Sequence, residues 1–434
     1  MSYASAVAIV ERLRGAGHVA VLAGGCVRDR LLGLEPKDYD VATSAEPAAV
    51  LEMFRGARAV GEAFGVVLVP HRHRQIEVAT FREEWGYSDG RRPDGVRFTD
   101  AAHDAQRRDF TINALFADPA GELESLKAGK LEISDGVLTR EVAGFGVVID
   151  FVGGLADLDA RVLRAVGDAS RRFEEDYLRM LRAVRFSARL GFELEATTGR
   201  AVRASARYLG QISRERIGAE LGMMLGHPTR AAAAELLAEL KLDGPVLNED
   251  AREVAVDRLA ALGPGAGATV GLAAWLLDRH LPGAGLVDAG AWDFRPVLRR
   301  VRRAVCLSNA DDQAVAGALA GLGPIAGWAG LRLCEKKRAL GRPHARLALE
   351  LAATLGDVSA VAGEAERLWA QGVSPEPWVT GEDLIALGRS PGPAFGPLLD
   401  AVYDAQLGGE AADREAALRL LAELAAADGA GRAG

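Results

Sequence analysis

Asp38 and Asp40 stand one residue apart, and a carboxylate pair at that spacing can hold a hard cation. On a strand, positions i and i+2 point to the same face, so the two charges repel unless a cation lies between them. Mg2+ takes oxygen ligands and binds through one or two carboxylates plus substrate phosphates. The pair therefore predicts a metal site for phosphate chemistry. Just upstream, Gly24-Gly25-Cys26-Val27-Arg28-Asp29 closes a short apolar run. Two glycines at a strand end let backbone N–H groups come close to a phosphate. Arg28, at the start of a helix, can pair with the same phosphates. D-x-D alone is a weak signal, and a solvated turn is the competing reading; the glycines and Arg28 at short range favour the metal.

Two further clusters carry charge in a suggestive order. In Arg107-Arg108-Asp109-Phe110-Thr111-Ile112-Asn113, Asp109 offers a third carboxylate and Arg108 a second phosphate contact. The competing reading is a surface charge run that caps a helix. In Glu175-Asp176-Tyr177-Leu178-Arg179-Met180-Leu181-Arg182-Ala183-Val184-Arg185-Phe186, a continuous helix collects small and apolar residues on one face and Arg179, Arg182, Arg185 and Arg189 on the other. A solvated face usually mixes signs to gain i,i+4 pairs. This one repels itself, so it expects either an anion or carboxylates supplied by other elements. Asp176 and Arg179 fall one helical turn apart on that reading, and an acceptor beside a donor can read the edge of a nucleobase.

The elements that position these residues divide into two kinds. Residues 1–150 read as mixed α/β: a helix over 4–13, a strand over 18–23, a short helix over 29–32 and a strand over 39–43. A helix over 47–54 follows, with Ser44 as its N-cap. The β-type runs 65–70 and 75–82 form a hairpin, 88–94 is a polar loop, and 110–116 fits helix or strand equally. From about residue 155 the periodicity is helical, cut by Gly and Pro steps into helices of ordinary length, with no repeat of 20–50 residues. The fold class is α+β, a sheet domain followed by a long helical region.

Composition limits what the chain can be. Its 434 residues, 49% hydrophobic and 26% charged, describe a globular protein of several domains. The net charge of −8 argues against a generic nucleic-acid binder. The distribution argues the other way: residues 161–216 hold 13 arginines against 7 carboxylates. Arginine suits planar contacts to phosphates and base edges. The cysteines Cys26, Cys306 and Cys334 are far apart, which fits a reducing compartment and no disulfide framework. The first residues lack a basic flank, so no signal peptide is expected. The uncharged stretches 259–277 and 313–331 contain Gly and Pro breaks and read as buried helices, not membrane spans. A cytoplasmic protein is the expectation.

GGCVRD–DYD, RRDFTINAL, the DFVGGLADL stretch at 150–158, the EDYLRMLRAVRF helix and ISRERIGAEL at 212–221 occur in that order. Together they resemble the class II nucleotidyltransferases, which comprise the CCA-adding tRNA nucleotidyltransferases and the bacterial poly(A) polymerases. The segment 381–406 is similar to the tail of the CCA-adding members. The resemblance implies a polymerase-β-like nucleotidyltransferase head over 1–154, a helical nucleotide-selecting neck over 155–225, a helical body over 226–345 and a tRNA-binding tail over 346–434. It implies Mg2+ on Asp38 and Asp40, with Asp109 as a third catalytic carboxylate as in the poly(A) branch. It implies nucleotide contacts from Gly24, Gly25, Arg28 and Arg108, base reading by Asp176 and Arg179, and further contacts from Arg182 and Arg185. The implied reaction is untemplated addition of C and A to the tRNA 3′ end from CTP and ATP. Residues 120–149 exceed the short turn usual in the family and suggest an inserted hairpin at the rim of the head. The runner-up is a poly(A) polymerase using ATP; the acidic, Ala-rich 410–434, in place of a basic extension, favours tRNA. A CC-only or A-only enzyme and a non-catalytic RNA binder are further alternatives. The seven histidines are scattered, so the phosphohydrolase cluster of some relatives is not expected.

Overall fold

The apolar runs between residues 20 and 150 pair into a mixed eight-stranded sheet. The computed structural model describes residues 3–60, 65–72, 74–86, 95–119, 137–252 and 255–431. Its strands are β1 (Ala20–Ala23), β2 (Asp40–Thr43), β3 (Arg58–Ala59), β4 (Val66–His71), β5 (Arg74–Thr80), β6 (Arg82–Trp85), β7 (Gly95–Phe98), β8 (Phe116–Asp118), β9 (Leu138–Val142) and β10 (Gly146–Asp150). The large sheet runs β3-β4-β5-β2-β1-β8-β10-β9, while β6 and β7 form a separate two-stranded ribbon. Within the sheet only β2 and β5 are parallel.

Both faces of the sheet centre are covered, which is why β1 is apolar throughout rather than alternating. On one face, Ile9, Val10 and Leu13 of the helix Tyr3–Gly15 share a core with Leu22, Val41, Val67 and Ala117. On the other, Val21, Ala23, Ala42 and Phe116 meet Phe81 and Ala105. Successive residues of β1, β2 and β8 thus point to opposite cores, as the pleat requires.

The predicted hairpin is β4 with β5. The ambiguous run 110–116 resolves as a 3-10 turn, Thr111–Asn113, leading into β8. Ser44 does not cap the next helix. Its Oγ accepts from the Val19 N–H at 2.9 Å, while the helix Pro47–Met53 starts after Glu46 with no side-chain cap. The predicted polar loop 88–94 lies outside the described residues, as does 120–136 of the expected insertion. The rest of that insertion does form a hairpin, but β10 pairs with β8 and β9 with β10, so it extends the main sheet instead of standing apart.

The DFVGG stretch is architectural. The buried Asp150 carboxylate accepts from the N–H groups of Val152, Gly153, Gly154 and Leu155 at 3.0, 2.9, 3.0 and 2.8 Å. Gly153, Gly154 and Leu155 supply donors that the start of the helix Gly154–Ala160 leaves without partners, and Val152 lies just before it. A Cβ at Gly154 would lie 2.2 Å from the Thr111 carbonyl oxygen, so only glycine fits there.

Helices Ala169–Glu175, Leu178–Leu190, Ala196–Ser205 and Arg214–Leu225 follow. The chain divides into two compact units, Met1–Leu221 with Leu236–Ala251, and Gly222–Glu235 with Arg252–Gly434. In the second unit, buried Arg230 donates to the carbonyls of Leu225, Gly263 and Ala266 at 2.9, 3.1 and 2.9 Å. Leu384, Val402 and Leu421 share a separate small core near the C-terminus. The uncharged stretches fall in the helices Asp257–Ala261, Ala268–His280, Asn309–Ala320 and Leu322–Ala326. No described helix is long and apolar enough to cross a membrane.

Candidate active site

Ten of the eleven residues singled out above line one cavity of about 680 Å3: Gly24, Gly25, Arg28, Asp38, Asp40, Arg108, Asp109, Asp176, Arg179 and Arg182. All belong to the first compact unit.

The glycine turn follows β1. Gly24 has φ +75°, and a Cβ there would approach Arg108 Nη1 to 3.0 Å. Its N–H donates to the Leu115 carbonyl at 2.9 Å, which ties the turn to the entry of β8. The helix Gly25–Leu31 then presents Arg28, whose Nη1 donates to Asn113 Oδ1 at 2.5 Å and whose Nε donates to Asp29 Oδ1 at 2.9 Å. Its guanidinium also lies over the Phe186 ring, 5.1 Å from the centroid.

Tyr39 is buried at the start of β2, and alternation leaves Asp38 and Asp40 on the opposite, open side. Neither forms an ion pair among the described residues. Burial, with the carboxylates of Glu77 and Asp38 adding to it, pushes Asp40 up to about 6 against the opposing pull of Arg108. Such a site gains from a bound cation, which relieves the repulsion and restores the ionised form. The two carboxylates fit a divalent ion that takes its other ligands from water and substrate phosphate. Glu77 escaped the sequence reading: it sits on β5, and only the parallel register with β2 brings it beside Asp40.

Asp109 lines the same cavity as Asp38 and Asp40, but its carboxylate is already engaged. Its Oδ2 accepts from Arg182 Nε at 2.7 Å. Its Oδ1 accepts from the Phe110 N–H at 2.8 Å and Asn113 Nδ2 at 3.2 Å. Burial alone would raise its pKa, but Arg182 and Asn113 outweigh it and hold the carboxyl at about 2. No group of three or more potential ligands suited to a metal occurs among the described residues. In this structure the Asp109 carboxylate is the partner of Arg182.

Arg108 is aimed from below. Asp104, buried on the helix Ala101–Gln106, accepts from Arg108 Nη2 at 3.0 Å and from Arg107 Nη2 at 2.6 Å. Arg108 Nη1 also donates to the Asn113 carbonyl at 3.1 Å, and the guanidinium lies over Phe116. Burial disfavours the Asp104 charge, yet the two guanidiniums hold its pKa below the ordinary carboxylate value.

The arginine-rich segment differs from its sequence reading in two ways. Asp176 is not helical: its backbone is extended, at φ −157° and ψ 103°, between the helices Ala169–Glu175 and Leu178–Leu190. Its Oδ1 accepts from the Leu178 N–H at 3.0 Å, an Asx turn that a wheel projection does not foresee. Second, three of the four arginines are matched by carboxylates from elsewhere. Arg179 pairs with Glu175, Arg182 with Asp109, and Arg185 with Glu220 at 2.6 Å. Arg185 is the one residue of the eleven that does not line the cavity, because Glu220 of the helix Arg214–Leu225 draws it away. Asp176 and Arg179 do meet the cavity together, but each is engaged: Arg216 binds Asp176, and Glu175 binds Arg179. Asn113, Glu175, Phe186 and Arg216 are the further site residues. The neutral side chains gave no chemical signal, and Arg216 lies 40 residues from its partner.

Residues 20–139 match the family description "Poly A polymerase head domain", and residues 191–249 match "Probable RNA and SrmB- binding site of polymerase A". The chain is 37% identical over 284 residues to a CCA-adding enzyme of Lactiplantibacillus plantarum, covering 64% of this chain and 63% of that protein. It is 38% identical over 242 residues to a CCA-adding enzyme of Geobacillus stearothermophilus, covering 56% of this chain and 54% of that one. The alignments therefore span between about half and 63% of these relatives' own length. Among solved structures, the Bacillus stearothermophilus CCA-adding enzyme in complex with CTP superposes with a TM-score of 0.75 at 28% identity, over 99% of this chain and 100% of that one. The Thermotoga maritima CCA-adding enzyme complexed with tRNA shares the fold, with a TM-score of 0.60 at 20% identity, over 96% and 94%.

Proposed function

We propose that this chain acts as a class II nucleotidyltransferase, the family of the CCA-adding enzymes and bacterial poly(A) polymerases, and that it adds C and A residues to the 3′ end of tRNA from CTP and ATP. The observation that carries this reading is one cavity that joins a free carboxylate pair, two arginines suited to phosphate and an acceptor–donor pair suited to a base. The likeness to CCA-adding enzymes, one of them solved with CTP, favours CCA addition over poly(A) synthesis. We assign the head to 1–154, the neck to 155–225, the body to 226–345 and the tail to 346–434.

The reaction is in-line displacement at the α-phosphorus of a nucleoside triphosphate. The RNA 3′-oxygen forms the new P–O bond, pyrophosphate leaves, and the 3′-hydroxyl proton passes to solvent. Asp38 and Asp40 would hold a divalent cation such as Mg2+, which when bound would supply positive charge to the 3′-hydroxyl and to the leaving pyrophosphate. Arg28 and Arg108 bind the triphosphate, their planes set by Asn113, Asp29 and Asp104. Asp176 and Arg179 present an acceptor and donors to the base edge, so protein side chains stand where a template base would stand. Arg182, held by Asp109, presents its guanidinium on the same wall of the cavity.

The test is incubation with a tRNA lacking its 3′ end and each nucleotide mixture in turn, followed by sizing of the product. Growth by three nucleotides with CTP and ATP supports CCA addition. A ladder with ATP alone marks a poly(A) polymerase, and a stop after CC or a requirement for a CC end marks a partial enzyme.

A further inference from the structure

We infer that Phe186 is a positioning residue for the triphosphate, because its ring closes one face of the Arg28 guanidinium and so aims that group at the phosphates; this rests on the proposed reading of the cavity. The hydrogen-bond partners of Arg28 lie around the edge of its plane. Nε and Nη2 donate to Asp29 Oδ1 at 2.9 and 2.6 Å, and Nη1 donates to Asn113 Oδ1 at 2.5 Å. A guanidinium carries five N–H groups, so one remains on each terminal nitrogen, enough for a two-pronged contact to a phosphate. Asp29 and Asn113 fix the group within its plane but leave it free to tilt. Phe186, whose centroid lies 5.1 Å from the guanidinium carbon, limits the tilt. Both Arg28 and Phe186 line the cavity.

The ring comes from a different part of the chain than the in-plane partners. Asp29 follows Arg28 on the helix Gly25–Leu31, and Asn113 lies in the turn before β8, whereas Phe186 sits on the helix Leu178–Leu190. Phe186 is itself buried and held. Phe110 meets it edge-on, with centroids 5.9 Å apart, and Arg182 and Arg185 lie 5.3 and 4.3 Å from its centroid. Phe110 directly follows Asp109, the partner of Arg182, so that ion pair and the ring seat the helix on the same turn. The aim of Arg28 on this view depends on a helix that it does not belong to. Arg179 stands about two turns earlier on that helix and Asp176 before its start. A change at the ring therefore reaches the phosphates and leaves base reading alone.

The experiment compares wild type with Phe186→Leu, Phe186→Tyr, Phe110→Leu, Arg28→Gln and the double variant Arg28→Gln/Phe186→Leu. Phe186→Leu removes the aromatic face and keeps most of the bulk; Phe186→Met replaces it if that variant does not fold. Two measurements are made. One is kcat and KM, for CTP and UTP on tRNA lacking its 3′ end and for ATP on tRNA ending in CC. The other is equilibrium binding of inorganic tripolyphosphate. Phe186→Leu should raise KM for CTP and ATP by a common factor of about fivefold and weaken tripolyphosphate equally, the size expected of one cation–π contact. The C-over-U ratio of kcat/KM should stay within about twofold of wild type. Phe186→Tyr, which keeps the face, should recover most of the loss. Phe110→Leu, which removes packing but leaves the ring over Arg28, should change tripolyphosphate binding by less than about twofold, and so should Phe186→Leu once Arg28 is glutamine. Tripolyphosphate binding unmoved by Phe186→Leu overturns the inference. An equal loss in Phe110→Leu overturns it too and makes the ring a packing element. An equal further loss in the Arg28→Gln background, or a fall in the C-over-U ratio, overturns it because the ring then acts through another residue. If wild type incorporates neither CMP nor AMP, the proposed function fails, while tripolyphosphate binding still decides the role of Phe186.

Discussion

Asp40 is an acid whose pKa burial, Glu77 and Asp38 lift to about 6. A raised acid favours its protonated form in the folded state, so its contribution to stability is present at low pH and is lost as pH rises through about 6. Without a divalent cation, Asp40→Asn should therefore stabilise the protein at neutral pH, by about 1 kcal/mol in urea unfolding. The same substitution, like Asp38→Ala, should abolish nucleotide incorporation. Added Mg2+ should raise the wild-type unfolding midpoint more at pH 7.5 than at pH 5 and should leave Asp40→Asn nearly unmoved; equal effects on the two proteins would remove the cation from these carboxylates. Asp109, held at about 2, has the opposite sign: its contribution is present above the ordinary carboxylate range and lost as pH falls through about 2. For Asp176 and Arg179, proposed to read the base, Asp176→Ala should admit UTP or GTP while slowing CTP and ATP, and Arg179→Ala should chiefly lower the rate. Full selectivity in Asp176→Ala would move base reading elsewhere. At this scale the residue types that carry charge could be found by spacing alone, but their partners could not. Glu77, Asn113 and Arg216 act across long stretches of chain; the motifs hold Asn113 and Arg216 but do not say what they touch, and no local pattern marks Glu77.

Elements set the limits of that reading. The hairpin of β4 and β5 was legible because its alternation is strong and its arms are adjacent. The run 110–116 was not, since a 3-10 turn and a three-residue strand are too short to show a period. The start of the arginine helix was misplaced for a different reason. Asp176 prefers to cap a backbone N–H two residues on, which ends one helix and begins another where the apolar spacing runs on unbroken. The turn after β10 offers a sharper test at this scale. Asp150 satisfies four successive N–H groups of the turn and the helix start. Asp150→Ala should cost about 3 kcal/mol or more in urea unfolding, at roughly 1 kcal/mol or more for each donor left unpaired. A loss below about 1 kcal/mol would mean that water reaches these donors.

For the molecule as a whole, the arginine excess over 161–216 is smaller in effect than its count implies. Arg164, Arg172, Arg182, Arg185 and Arg216 are already paired with Asp157, Glu175, Asp109, Glu220 and Asp176. The helix Arg295–Ala304 in the second unit is a second candidate for binding the RNA backbone, with Arg299 and Arg303 exposed on it. tRNA affinity should fall as salt rises, through release of counterions. Arg299→Glu/Arg303→Glu should weaken it several-fold and flatten the salt slope by about one for each phosphate no longer neutralised. An affinity indifferent to salt would count against an RNA substrate. The way the chain is shared between the units has a consequence for dissection of the protein. Leu236–Ala251 returns to the first unit after a segment that belongs to the second. There the Pro245 carbonyl accepts from Arg214 at 2.9 Å, and the Glu239 carboxylate pairs with Arg203 at 3.0 Å. No single cut separates the two units cleanly. A stop codon after residue 221 strips the catalytic unit of its closing segment, whereas one after residue 251 keeps it. The shorter fragment should be degraded or insoluble on expression, and the longer one should survive limited proteolysis and still bind CTP.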